Sequence, residues 1–317
     1  MTRRFRILAL ALMVLAVLAA CGLAQNRAAL PAVTASDVKY GLYPANVLDF
    51  WQAKSEKPAP LFIFIHPGGF TMGKRWNLQA AALKRALDAG ASVASIEYRF
   101  IKDAPIQDIL RDCARSVQFM RHNAVKYHLD PKRIACFGGS AGAGASLWIA
   151  VHPDLADPKS TDPVLRESSR IAAAACINGQ ATYNLTEWDT LIYPAKPEWK
   201  RPEAELLQWY HFKSAADLTS EAGRKILADC SMYDLLTKDD PPIWMYCALP
   251  EGKPTNENHL IHHPKHCQVI KQRGDAVGAK VEIHLHNEGK ENAQVMAVEF
   301  LLKQVGLAAG ETTRAAP

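Results

Sequence analysis

The chain is punctuated by short, unbroken apolar runs, separated by segments whose apolar positions recur every three or four residues. Continuous runs bounded by turn residues predict strands buried on both faces. LFIFI (61–65), IACF (134–137), IAAAACI (171–177) and IWMYC (243–247) are of this kind, with ASVASIEYRF (91–100) read as the strand after LFIFI and KVEIHLH (280–286) as a last strand. NVLDFWQA (46–53) reads as a strand ahead of them, and KSEKPAP turns the chain afterwards. Helices are predicted between these runs: LQAAALKRALDAG closed by Gly90, a long helix opened by Pro105, SAGAGASLWIAV, and AQVMAVEFLLKQV. In the second of these Ile106, Ile109, Leu110, Cys113 and Val117 share one face. LDPKR (129–133) reads as a turn. Strands alternating with helices imply an α/β domain with a mostly parallel central sheet and helices on both faces.

One stretch departs from that alternation. From about residue 184 to 230 the chain carries Trp188, Tyr193, Trp199, Trp209, Tyr210 and His211, with prolines at 194, 197 and 202. It is expected to be an inserted cap over the mouth of the sheet, although each aromatic taken singly is more readily a packing residue. No internal repeat is present, and one domain is expected over residues 36–306.

Composition changes this picture little, with 49% hydrophobic and 22% charged residues. The net charge of +5 falls by three, to about +2, once Arg3, Arg4 and Arg6 are set aside. No basic stripe remains, and nucleic acid is not an expected partner. Those arginines precede an apolar run from Ile7 to Ala20, which predicts a signal segment over residues 1–20. LAAC (18–21) resembles a lipobox, which would leave a lipid anchor on Cys21; simple cleavage after Ala24 is the alternative. Either way the protein is expected to be exported, periplasmic or secreted. No CxxC pair occurs among the seven cysteines, and Cys136, Cys176 and Cys247 lie in apolar runs, as small buried hydrophobes do.

The chemistry begins at GGSAG (138–142), a G-x-S-x-G between a buried strand and a helix. A serine there is held on a sharp turn that lifts its hydroxyl above the sheet, making Ser140 a candidate nucleophile. Rival glycine motifs fail: Leu147 stands where a dinucleotide loop needs glycine, and no Lys-Ser/Thr pair follows. HPGGF (66–70) follows another buried strand, and its successive glycines allow N–H groups to converge on an oxyanion. Gly68 and Gly69, with the N–H of Ala141, are the candidate donors.

NVLDFW, FIHPGGF, SIEYRF, DPKRIACFGGSAGA and TKDDPPIWMY occur here in an order that resembles the α/β-hydrolase family, particularly bacterial esterases of the hormone-sensitive-lipase and acetyl-xylan-esterase type. The resemblance spans most of residues 46–306 and implies an α/β-hydrolase fold. It also implies an acid after IWMYC and a histidine after the last strand. Laid on that pattern, PPIWMYCALPEG puts Glu251 at the acid position. The histidine is missing: the stretch reads NEGKENAQ, with Glu291 or Asn292 in its place. Neither does imidazole's work near neutral pH.

HLIHHPKHC (259–267) offers substitutes. Pro264 is expected to begin a helix, with His262 and His263 at its start on the same rim as Ser140. His286 ends the last strand, short of the usual loop. His259, His262, His263 and His266 also have near-helical spacing, but Pro264 interrupts the helix that would align them on a metal. No metal and no cofactor are expected.

The expected function is an exported serine hydrolase cleaving short acyl or acetyl esters, of small molecules or polysaccharide, through an acyl-serine. The alternative is a catalytically impaired hydrolase-fold protein that binds a ligand in the former pocket.

Overall fold

The computed structural model describes residues 30–285 and 292–307. The signal segment, Cys21, the cleavage site after Ala24, His286 and Glu291 lie outside the described residues.

Eight strands form one sheet in the order β1-β2-β4-β3-β5-β6-β7-β8. They are β1 (Ala35–Lys39), β2 (Val47–Trp51), β3 (Ala59–Ile65), β4 (Ser92–Ile96), β5 (Leu129–Gly139), β6 (Ala174–Ile177), β7 (Ile243–Cys247) and β8 (Val281–Leu285). Strand β2 runs antiparallel to β1 and β4, and all other pairings are parallel. The mostly parallel sheet expected from the apolar runs is therefore observed.

Helices cover both faces. Leu61, Ile63 and Ile65 of β3 point to one side, where α2 (Ile106–His122) and α3 (Ala141–Val151) pack. Phe62 and Phe64 point to the other, against α1 (Ala80–Asp88) and the helix Ala293–Gln304. Period-2 strands between two helical layers must be apolar on both faces, which is why β3 is one unbroken apolar run.

Two departures from the sequence reading stand out. β1 was not foreshadowed, since ASDVK is mostly exposed and lacks apolar alternation. Its pairing with β2 is reinforced by Arg75, whose guanidinium reaches Asp37 at 2.6 Å and Asp49 at 2.8 Å. LDPKR, expected as a turn, falls within the bounds of β5. The turn chemistry survives as a bulge, because Ala59 pairs with Leu129 and Leu61 with Ile134, leaving residues 130–133 looped out. Asp130 stabilises that loop by accepting from the Lys132 N–H at 2.9 Å and the Arg133 Nε at 2.7 Å.

The connection between β6 and β7 is irregular and helical. It contains α4 (Trp188–Leu191), α5 (Glu203–Tyr210), α6 (Ala215–Thr219), α7 (Glu221–Asp229) and α8 (Met232–Leu235). Trp209 meets Phe70, in the loop after β3, edge-on at 5.8 Å. Tyr210 donates to the Tyr183 carbonyl and accepts from the Leu185 N–H, each at 2.8 Å. Beyond β7 come α9 (Glu257–Ile261), α10 (Lys265–Val277) and, after β8, α11 (Ala293–Gln304). Among the described residues the six cysteines are buried and unbridged. No described helix is long and apolar enough to cross a membrane.

Candidate active site

Strand β3 has β4 on one side and β5 on the other, so the crossover connections diverge there. In open parallel sheets the crevice at such a reversal, beyond the carboxyl ends of the strands, is where ligands bind. The loop after β3 carries His66–Phe70, and Ser140 follows β5 directly.

Ser140 sits at φ 49°, ψ −116°, a conformation that costs a non-glycine residue roughly 1–3 kcal/mol. It is over-determined by its surroundings: its N–H donates to the Ile177 carbonyl at 2.8 Å and its carbonyl accepts from the Gly144 N–H at 3.0 Å. The flanking glycines are required by contact. A Cβ on Gly142 would lie 1.9 Å from the Ile65 carbonyl oxygen, and one on Gly138 2.4 Å from the same atom. Helix α3 thereby starts against the end of β3, which brings the serine beside the glycine loop.

The Ser140 Oγ lies 2.8 Å from Nε2 of His262. His262 is the C-cap of α9, and its Nδ1 lies 3.1 Å from both the backbone carbonyl oxygen and the side-chain Oδ1 of Asn258. A proton on Nδ1 is thus shared between two acceptors, leaving the Nε2 lone pair to the serine hydroxyl. Burial holds the His262 pKa below the ordinary imidazole range, only partly offset by the hydrogen bond to the Asn258 carbonyl.

Two further groups fix this arrangement. Gln180 donates from Nε2 to the Ile261 carbonyl at 3.0 Å, and the Tyr183 hydroxyl lies 2.9 Å from the Ala141 carbonyl and 3.3 Å from Gln180 Oε1. The loop after β6 thereby links the start of α3 to the end of α9. The Cys247 thiol donates to the His262 carbonyl at 3.1 Å.

Gly69, Phe70, Ser140, Ala141, Tyr183 and Trp209 are among the residues lining a cavity of about 50 Å³. The backbone N–H groups of Gly69 and Ala141 donate to no protein group among the described residues. The Gly68 N–H likewise donates to no protein group among the described residues, while its carbonyl accepts from the Thr71 and Met72 N–H groups, each at 3.0 Å; Gly68 does not line that cavity. The loop is braced from below by His66, which stacks on Tyr98 at 4.2 Å and donates from Nδ1 to the Pro67 carbonyl at 2.7 Å. A second cavity, about 220 Å³, shares Leu185, Trp188, Arg201 and Ile261 with the first and adds Trp199.

Residues 48–245 match the family model described as BD-FAE. The chain belongs to the BD-FAE family. Among curated proteins, it is 30% identical over 150 residues to the Arabidopsis thaliana protein named "Probable isoprenylcysteine alpha-carbonyl methylesterase ICMEL1", covering 47% of this chain and 31% of that one. It is 26% identical over 220 residues to "Esterase LipC" of Mycobacterium tuberculosis, covering 67% of this chain and 51% of that protein. The chain thus spans about a third to a half of the length of these relatives. Among solved structures, "Truncated form of carbohydrate esterase from gut microbiota" superposes with a TM-score of 0.67 at 18% identity, over 86% of this chain and 96% of that one. At that identity the likeness establishes the fold, the α/β-hydrolase fold.

Against this BD-FAE background the histidine cluster resolves into separate roles. His262 is brought to Ser140; His263 is not. His263 turns its Nε2 to the Gly252 carbonyl at 2.7 Å, and its Nδ1 accepts from the Lys265 N–H at 3.0 Å. His259 Nε2 lies 2.8 Å from the Pro250 carbonyl oxygen, so both rings pin the loop after β7. Pro264 causes the split: it caps α10 rather than continuing α9, so consecutive histidines face different walls. The expectation for Glu251 is corrected likewise. Its Oε1 accepts from Gln268 Nε2 at 3.1 Å on the exposed side, and Asn258 stands at the His262 Nδ1 instead. No cluster of three or more His, Cys, Asp and Glu side chains is placed to hold a metal among the described residues.

Gln180, Tyr183 and Asn258 escaped the sequence reading. The one available signal was the i, i+4 spacing of Asn258 and His262 in NHLIH, which puts both on one face of a helical turn.

His266 is fully buried, with Nδ1 accepting from the Ala181 N–H at 3.1 Å, and burial pushes its pKa down to about 3. The unfolded chain therefore binds a proton that the folded chain rejects between about pH 6.5 and pH 3. Stability is expected to fall as pH drops through that window, read as a declining midpoint of urea unfolding. His266→Gln, which offers no titrating ring, is expected to flatten the decline.

Proposed function

We propose that this protein hydrolyses carboxylic esters by acyl transfer to Ser140, with His262 as the base. The observation that carries the reading is the 2.8 Å contact between Ser140 Oγ and His262 Nε2. As Oγ attacks the ester carbonyl, Nε2 takes its proton, and the carbonyl oxygen becomes an oxyanion. The N–H groups of Gly69 and Ala141 are the donors best placed to receive it, with Gly68 shaping their loop. Collapse of the tetrahedral intermediate returns the proton from His262 to the departing alcohol. Water then attacks the acyl-serine, giving its proton to His262, and the carboxylic acid leaves as Ser140 recovers its hydroxyl proton. The family membership and the esterase names of the relatives support this reading.

The small cavity at Ser140 supports a short acyl group such as acetyl, and the larger one a bulkier alcohol, including a sugar ring set against Trp188 or Trp199. The catalytic efficiency kcat/KM is expected to be highest for p-nitrophenyl acetate or propionate and to fall by about tenfold or more for the octanoate, since forcing extra methylenes into a small cavity costs about 1–3 kcal/mol. Trp209→Leu, which removes one wall of that cavity, is expected to narrow the difference. A wild-type preference for the octanoate would exclude the short-acyl assignment.

The rival reading, a ligand-binding protein without turnover, draws its support from the missing histidine in NEGKENAQ. The pairing of His262 with Ser140 favours turnover. Export, with a lipid on Cys21 or cleavage after Ala24, is proposed from the basic start and apolar run of the first residues.

A further inference from the structure

Resting on the Ser140–His262 reading, we infer that Asn258 is the positioning residue for His262, so that a neutral amide stands where the family resemblance implies a carboxylate. Asn258 Oδ1 and the Asn258 carbonyl oxygen each lie 3.1 Å from His262 Nδ1, and both come from the same helical turn as the imidazole. Base and orienter are thus contributed by one short helix after β7.

An amide oxygen selects the tautomer with Nδ1 protonated but brings no negative charge. The imidazolium formed during acyl transfer is then stabilised by dipoles alone. Of the groups around His262, Cys247 from β7 bonds its carbonyl, His266 from α10 is buried and neutral, His263 bonds Gly252, and Glu257 precedes Asn258 on α9; the acceptors given for Nδ1 are both atoms of Asn258. Glu251 is engaged with Gln268. The general base must be unprotonated to act, so the acid limb of kcat/KM is expected below pH 6.5, the ordinary imidazole value, in line with the lowered pKa of His262.

Asn258→Asp and Asn258→Ala, assayed from pH 4 to 9 with p-nitrophenyl acetate beside wild type and His262→Ala, test this. The aspartate is expected to raise the acid limb by about one pH unit or more, as an adjacent carboxylate favours the charged imidazole. The alanine is expected to lower kcat by roughly 10–100-fold with KM unchanged, because the ring loses one of its two acceptors. Alanine is a better helix former than asparagine, so the loss will not come from unfolding of α9. An aspartate variant with an unmoved acid limb, or an alanine variant with wild-type kcat, overturns the role of Asn258. Full activity in His262→Ala overturns the assignment of the base itself, and this inference with it.

Discussion

Ser140→Ala is expected to reduce ester turnover by on the order of 10⁴-fold or more, with no loss of thermal stability. In the proposed mechanism the hydroxyl oxygen forms the covalent bond, and it is this oxygen that lies 2.8 Å from Nε2 of His262. Folding does not depend on it, because the Ser140 backbone, not its hydroxyl, makes the bonds to Ile177 and Gly144. Initial rates on p-nitrophenyl acetate beside a thermal melt check both halves. A companion variant separates chemistry from strain. Ser140→Gly is expected to be equally inactive yet more stable by about 1 kcal/mol or more, since glycine accepts φ 49° without the penalty a Cβ brings. Residual turnover at wild-type level in Ser140→Ala would remove the acyl-serine mechanism altogether.

The second large effect belongs to His262. His262→Ala is expected to lose about 10²–10⁴-fold in kcat, the range contributed by a positioned general base, while KM changes little. His263→Ala and Glu251→Gln are the informative companions, because the sequence makes them equal or better candidates. Both are expected to keep near-wild-type kcat: His263 is engaged with Gly252 and Lys265, and Glu251 with Gln268. His263→Ala is expected to act on stability instead, since it frees the loop after β7 from α10. If His263→Ala lost kcat as severely as His262→Ala, the loop would be holding both rings in the reaction, and the separation drawn between them would fail.

Much of this protein was legible in its sequence, and the reason is locality. The buried strands β6 and β7 are contiguous apolar runs, as is β3 from Leu61 to Ile65, and the turn at Ser140 is written in five neighbouring residues whose glycines allow the approach to Ile65. The bulge at 130–133 was readable as turn chemistry, although its placement inside β5 depended on pairing with β3. Strand β1 was invisible because its stability comes from a partner strand and from Arg75, not from its own pattern.

The site divides in the same way. Ser140 and the glycine loop after β3 could be named from the chain because each lies in a motif whose backbone geometry is set by adjacent residues. The identity of the histidine could not be. His262 and Ser140 are 122 positions apart, and consecutive rings at 262 and 263 differ only in which wall each faces. That was decided by the break between α9 and α10 at Pro264, and by Gln180 gripping the Ile261 carbonyl from another loop. Sequence determined the buried parallel strands, the sharp turn at Ser140 and the glycine turn, since local sterics and burial set them. Only the tertiary structure decided which histidine meets Ser140 and which residue holds that ring, because hydrogen-bond reach of a few ångströms depends on how separate loops are packed together.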